Sequence, residues 1–178
     1  MTKVVINLCG VKSKGGVTVF NNYLEQNKTK NLYVLYDNLE FKKYIENFDS
    51  QYITTKRIYH PFLNLLLNKE IKEKINSYDY VIHFGNFGFK TNIKSYTLVQ
   101  NILPLVKPFS SFRNFVLNLL YKYAFKISDK IIVQQKHVEE LIPNQYPTKI
   151  IGSIEMKTIK QSNSQGFVTI HDENKNKN

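Results

Sequence analysis

Lys3-Val4-Val5-Ile6-Asn7-Leu8-Cys9-Gly10 is the stretch on which the fold turns. Its β-branched run is short and ends at Cys9-Gly10, the pattern of a strand. A loop with Gly10, Gly15 and Gly16 follows, and then Val17, Phe20, Tyr23 and Leu24 recur at helical spacing. Strand, glycine loop and helix together make the first half of a βαβ unit.

The same alternation continues outward. Residues 32–36 read as a second strand ended by Asp37-Asn38, and Phe41, Tyr44, Ile45 and Phe48 as a helix. Residues 52–58 form a weak third strand. Pro61 stands where a first helical turn tolerates it, ahead of Phe62, Leu65, Leu66, Ile71 and Ile75. Further strands are expected at 79–84, 96–100, 129–134 and 148–152, with a long helix over 110–126 and a short one over 135–142. Repeated βαβ units predict an α/β domain: a doubly wound, Rossmann-like parallel sheet of about seven strands. The domain spans 1–155. Residues 156–178 read as a linker or disordered tail, although Phe167-Val168-Thr169-Ile170 has the composition of one more strand.

Composition narrows the class. Of 178 residues, 42 % are hydrophobic, enough for a real core, so disorder and coiled coil are excluded as overall readings. Cys9 is the only cysteine, which rules out a disulfide framework or a cysteine zinc site within one chain. His60, His137 and His171 show no metal-ligand spacing. No run approaches the roughly 18 apolar residues of a spanning helix, and the opening run is too short for a signal peptide, so a cytoplasmic protein is expected. The formal charge of +11 suits polyanions. Only Arg57 and Arg113 are arginines, however, and base readers rely on Arg, so nucleic acid is a poor partner.

In such sheets ligands bind beyond the carboxyl ends of the strands. The first loop there, Gly10 to Val17, nearly matches a phosphate-binding P-loop, but Gly16 and Val17 stand where the motif needs Lys and Ser/Thr. Nucleoside-triphosphate hydrolysis is therefore not expected. Gly10, Gly15 and Gly16 also miss the G-x-G-x-x-G spacing, leaving Asp37 as either a ribose-binding acid or a turn residue. What remains is Gly15 and Gly16 opening a helix, either to let a diphosphate approach backbone N–H groups or only to pack tightly. The second loop carries His83, Gly85, Asn86 and Gly88; His83 suits a base or a hydrogen-bond donor to phosphate or sugar oxygens, or a satisfied structural role. The third offers Gln100 and Asn101, whose amides bind sugar hydroxyls or cap a turn.

The 110–126 helix has two apolar rows. Phe112, Phe115, Val116, Leu119, Leu120 and Tyr123 form one, and Leu117, Tyr121 and Phe125 the other, with Arg113 and Lys122 between them and Lys126 closing the last turn. Surface helices usually have one such row. The second is expected to meet an anionic membrane surface, another domain or a partner, or else the helix is buried on both sides.

Taken together, these residues resemble the N-terminal half of a GT-B glycosyltransferase, especially the family 4 (group 1) retaining enzymes, many of which build bacterial cell-surface polysaccharides. The likeness rests on Gly15-Gly16-Val17-Thr18, Tyr80-Val81-Ile82-His83 with Gly85-Asn86, Val99-Gln100-Asn101 before Leu103-Pro104, and Ser128 to Gln134. It covers roughly residues 1–155. The resemblance implies transfer of a sugar from a nucleotide-sugar to a saccharide or lipid-linked acceptor, without a cofactor. Gly15 and Gly16 would face the donor diphosphate; Asn86, Gln100 and Asn101 would line the acceptor side, with His83 the catalytic candidate. Arg113, Leu117, Tyr121, Lys122 and Phe125 would contact the inner face of the membrane. The family's second domain, with its Glu-x7-Glu motif, has no counterpart after residue 155, so a separate C-terminal-domain polypeptide is the expected partner. The alternative is a non-catalytic subunit, or a remnant, that binds acceptor, membrane or another protein.

Overall fold

The protein is seen in a computed structural model, which describes residues 2–27, 30–48, 52–58, 68–85 and 88–150. The strands are β1 (Lys3–Asn7), β2 (Asn31–Tyr36), β3 (Ile53–Arg57), β4 (Tyr80–His83), β5 (Lys94–Val99), β6 (Lys130–Val133) and β7 (Thr148–Ile150). The helices are α1 (Lys14–Gln26), α2 (Glu40–Glu46), α3 (Lys69–Asn76), α4 (Leu103–Val106), α5 (Phe112–Ile127) and α6 (Lys136–Glu139). All pairings are parallel and the sheet order is β3-β2-β1-β4-β5-β6-β7. Six strands make the body of the sheet. The seventh, expected over 148–152, is described only as the three residues of β7 at the edge.

Alternation along the strands sorts two cores. Val4, Ile6, Val34, Ile82, Leu98 and Ile132 pack with Phe20 and Leu24 of α1 and Phe41 of α2. On the opposite face Val5, Leu35 and Val81 meet Ile71 and Ile75 of α3. Farther along that face Val99, Ile131 and Val133 meet Tyr121 and Phe125 of α5 and Val138 of α6. Helices therefore cover both faces, which is the doubly wound, Rossmann-like arrangement. Between the second and third groups Asn7, His83, Ser95 and Thr97, all buried, form a polar seam.

Local chemistry sets the helix starts. Ser13, Asn68 and Ser111 accept from the N–H of Gly16, Ile71 and Asn114, three residues on, and so cap α1, α3 and α5. The short helix α4, which follows β5, is not among the expected elements. Asn101 Oδ1 accepts the Leu103 N–H, and Pro104 sits at the tolerant start of the helix. The expected helix start at Pro61 and the strand at 167–170 lie outside the described residues. Among the described residues no helix is long and apolar enough to cross a membrane.

Candidate functional site

Strand order reverses direction between β1 and β4, and the carboxyl ends of these strands mark the switch point, the crevice at which sheets of this kind take ligands. The β1 loop is held in shape by Gly10, whose φ of 84° is the left-handed region that suits glycine. Its N–H donates to Asp37 Oδ2 at 3.1 Å, so the aspartate at the end of β2 braces this turn. The two loops touch backbone to backbone: a Cβ on Gly85 would stand 2.2 Å from the Cys9 carbonyl oxygen. Burial, reinforced by the nearby Asp37 charge, raises the Cys9 thiol well above its ordinary pKa. It is an inert core residue rather than a nucleophile.

Gly15 and Gly16 divide the two roles that the sequence leaves open. A Cβ on Gly16 would meet Val11 Cγ1 at 2.3 Å, with Gln100 Oε1 and Ser13 Oγ each at 3.3 Å. Gly16 is thus required for packing, and it brings the start of α1 beside the end of β5. A Cβ on Gly15 would meet nothing within 4 Å. Ser13 takes the Gly16 N–H, and the earlier N–H groups of the first turn stay outside the helical ladder. Lys12 and Lys14 are exposed on either side of the cap. The N–H groups of Lys14 and Gly15 are the ones that an anion at this helix start would meet.

His83 does not belong to the crevice. It is fully buried, its ring edge-on to Phe89 at 4.7 Å and close under Gly88, where a Cβ would come within 2.8 Å. Both ring nitrogens have partners: Asn7 Nδ2 at 3.1 Å from Nδ1, and Ser95 Oγ at 3.2 Å from Nε2. Asn7 Oδ1 accepts the Cys9 N–H, which turns the Asn7 amide nitrogen toward the imidazole. Nδ1 therefore accepts, and the proton sits on Nε2 and is donated to Ser95. Burial lowers the imidazole to about 3. The expectation of a catalytic His83 is corrected: it is a neutral structural histidine, because strand alternation points it into the polar seam instead of beyond the strand end.

Gln100 does reach the crevice, through its contact with Gly16. Its Nε2 is buried and has no hydrogen-bond partner among the described residues, as is Nε2 of Gln134 at the end of β6. Gln134 is not among the expected site residues, although its place after a buried strand matches that of Gln100. Buried amide donors without partners are rare, and at strand ends they suit a ligand oxygen. Asn101 is exposed, and its side-chain oxygen accepts the Leu103 N–H in the turn that leads into α4. Asn86 lies outside the described residues. Of the two expected acceptor-side residues that are described, Gln100 lies beside the start of α1 and Asn101 faces solvent.

The long helix is oriented opposite to the expectation. Tyr121 is 1 % and Phe125 2 % exposed, packed in the core, and Leu117 is half-buried. The row expected at a membrane is the inner row, because its partners are polar as well as apolar. Tyr121 Oη donates to the Asn101 carbonyl at 3.0 Å, and Asn118 Nδ2 donates to the Pro104 carbonyl at 2.8 Å. Periodicity in hydrophobicity alone hid these anchors. Arg113 and Lys122 are exposed.

A separate open groove of about 640 Å³ lies at the amino end of β5, at the far edge of the sheet from the crevice. Lys90, Lys94, Lys126, Tyr123 and Asp129 are among the residues that line it. Among the described residues no three His, Cys, Asp or Glu side chains gather as a metal site. Protein-family models and curated proteins were both compared with the chain, and neither gives a match.

Proposed function

We propose that this chain is the acceptor-side half of a nucleotide-sugar-dependent, retaining glycosyltransferase of the GT-B type. On this reading it works at the cytoplasmic side of a cell membrane, in surface-polysaccharide synthesis. A second domain outside these 178 residues would supply the other wall of the cleft. One observation carries the reading: Gly15, with open space around it, begins a Ser13-capped helix at the sheet's switch point, beside the buried amide of Gln100. Sugar transfer with a nucleotide leaving group builds negative charge on a diphosphate. N–H groups at a helix start are oriented in advance to receive that charge. The Gln100 amide suits a sugar hydroxyl. His83 takes no part in the chemistry.

That last point favours a second reading, a non-catalytic binding subunit, since the sequence offers His83 as the base and the fold buries it. Two measurements test the proposal. Amide chemical shifts of the isotope-labelled chain are followed during titration with UDP-, GDP-, CDP- and dTDP-sugars at millimolar concentration. Perturbation centred on Ser13–Val17 and Gln100 is expected, and silence there with every donor would overturn the diphosphate role. Turnover in the presence of the second domain then separates the enzyme from the binding subunit.

A further inference from the structure

Between Asp79 and Asp129 the sequence contains no acidic residue, and it contains six cations: Lys90, Lys94, Lys107, Arg113, Lys122 and Lys126. Within that stretch lie eight of the twelve large hydrophobic residues that are exposed among the described residues. Phe109 and Phe112 are 83 % and 82 % exposed, and Phe115, Val116, Leu119 and Tyr123 continue the same side of α5. On a helix of 3.6 residues per turn, Phe112, Val116, Leu119 and Tyr123 share one stripe. Arg113 falls on one flank of that stripe, and Lys122 and Lys126 fall on the other. Leu103 and Val106 of α4, a helix packed against α5, are also exposed. Phe109 stacks on Phe115 at 6.0 Å, so the aromatic patch extends past the helix start. At its other end the stripe runs into the basic groove, because Tyr123 and Lys126 belong to both.

From these features we infer that the outer face of α5 docks on an anionic lipid surface, and that the groove of Lys90, Lys94 and Lys126 receives headgroup phosphates. A face with an apolar centre and cations on both flanks lies flat in a lipid interface, with the long basic side chains reaching up to the headgroups. A second copy of the chain is a poor occupant, since it would set Arg113, Lys122 and Lys126 against their own equivalents in a +11 protein. Nucleic acid would leave the aromatic centre without purpose. In the groove Asp129 is already engaged, accepting the Ser95 N–H at 2.7 Å, so the lysines dominate the charge there. This inference rests on a different surface from the carboxyl-edge crevice and stands whatever ligand the crevice takes.

The experiment uses the whole chain and vesicles of phosphatidylcholine, with or without phosphatidylglycerol. Wild type should co-sediment with the phosphatidylglycerol vesicles at low salt and be released at high salt, as the short Debye length there removes the attraction. Phe112→Ser/Leu119→Ser alters only exposed side chains and should abolish sedimentation while circular dichroism stays unchanged. Lys90→Gln/Lys94→Gln/Lys126→Gln should weaken binding about fivefold per cation removed. The chain has no tryptophan, so Phe112→Trp gives a single emission band that should shift to the blue with anionic vesicles. Wild type remaining in the supernatant, or a Phe112→Ser/Leu119→Ser variant that sediments like wild type, would overturn the inference. So would a dimer in light scattering that this double variant dissociates, since a second copy would then cover the face.

Discussion

A side chain at Gly16 would collide with Val11, whereas one at Gly15 would enter open space. Gly16→Val should therefore cost about 1–3 kcal/mol of stability through overpacking, so any lost binding in that variant reports on folding. Gly15→Val is the informative change. It replaces the poorest helix former short of proline, so the melting temperature should hold or rise slightly, while nucleotide-sugar perturbation of the Ser13–Val17 amides is lost. Retained perturbation in a folded Gly15→Val chain would remove the helix start from the ligand site. His83 supports a prediction of a different kind. Its imidazole is lowered to about 3 in the fold, against an ordinary value of 6.5. Between those values the unfolded chain binds a proton that the folded chain refuses, so this contribution is complete above pH 6.5 and is lost as pH falls toward 3. At pH 5 the loss is on the order of 2 kcal/mol. Urea unfolding at pH 7 and pH 5 should show a smaller drop for His83→Gln than for wild type. Equal drops would mean that the ring reaches solvent.

At the scale of elements, α5 makes the sharpest contrast. Phe125→Ala removes a ring stacked on Tyr121 at 5.8 Å in the buried row and should cost about 3–5 kcal/mol. Leu119→Ala, on the exposed row, should stay within about 0.5 kcal/mol. Chemical denaturation of the two variants checks the orientation of the helix directly. The strands were legible in the sequence because β1, β2, β4 and β6 are buried on both faces, and parallel burial writes itself as unbroken apolar runs. The rows of α5 were not legible in the same way. Both rows are greasy, and what selects the inner one is a pair of side chain-to-carbonyl bonds, Tyr121 to Asn101 and Asn118 to Pro104. Those partners are 20 and 14 residues away and leave no mark on hydrophobic periodicity. The candidate site was half legible for a related reason. Glycines at a strand end announce a loop that needs backbone room, but only the packing of Val11 shows which glycine the fold consumes. Likewise nothing in Tyr80-Val81-Ile82-His83 tells that His83 would find Asn7 on one neighbouring strand and Ser95 on the other.

For the molecule as a whole, the groups proposed for donor and acceptor all lie along one edge of one sheet. Gly15 and Ser13 follow β1, Gln100 follows β5 and Gln134 follows β6. Such an edge presents a single wall. The described residues contain both helix layers and buried cores on each face, which is what a domain needs to fold by itself. Oriented dipoles act strongly on developing charge only where water is excluded, and a diphosphate on one open wall stays in high dielectric. These 178 residues alone should therefore unfold cooperatively in urea yet release no nucleotide from any sugar donor, while still showing weak donor-induced shifts at the helix start. Addition of the proposed second domain should bring turnover without new shifts on the outer face of α5, because that face is not part of the proposed cleft. The measurement is free nucleotide released per chain, using the same donor panel with a membrane-lipid extract as acceptor. Multiple turnovers by the purified chain alone would contradict the one-walled cleft and require a complete catalytic site within this sheet edge.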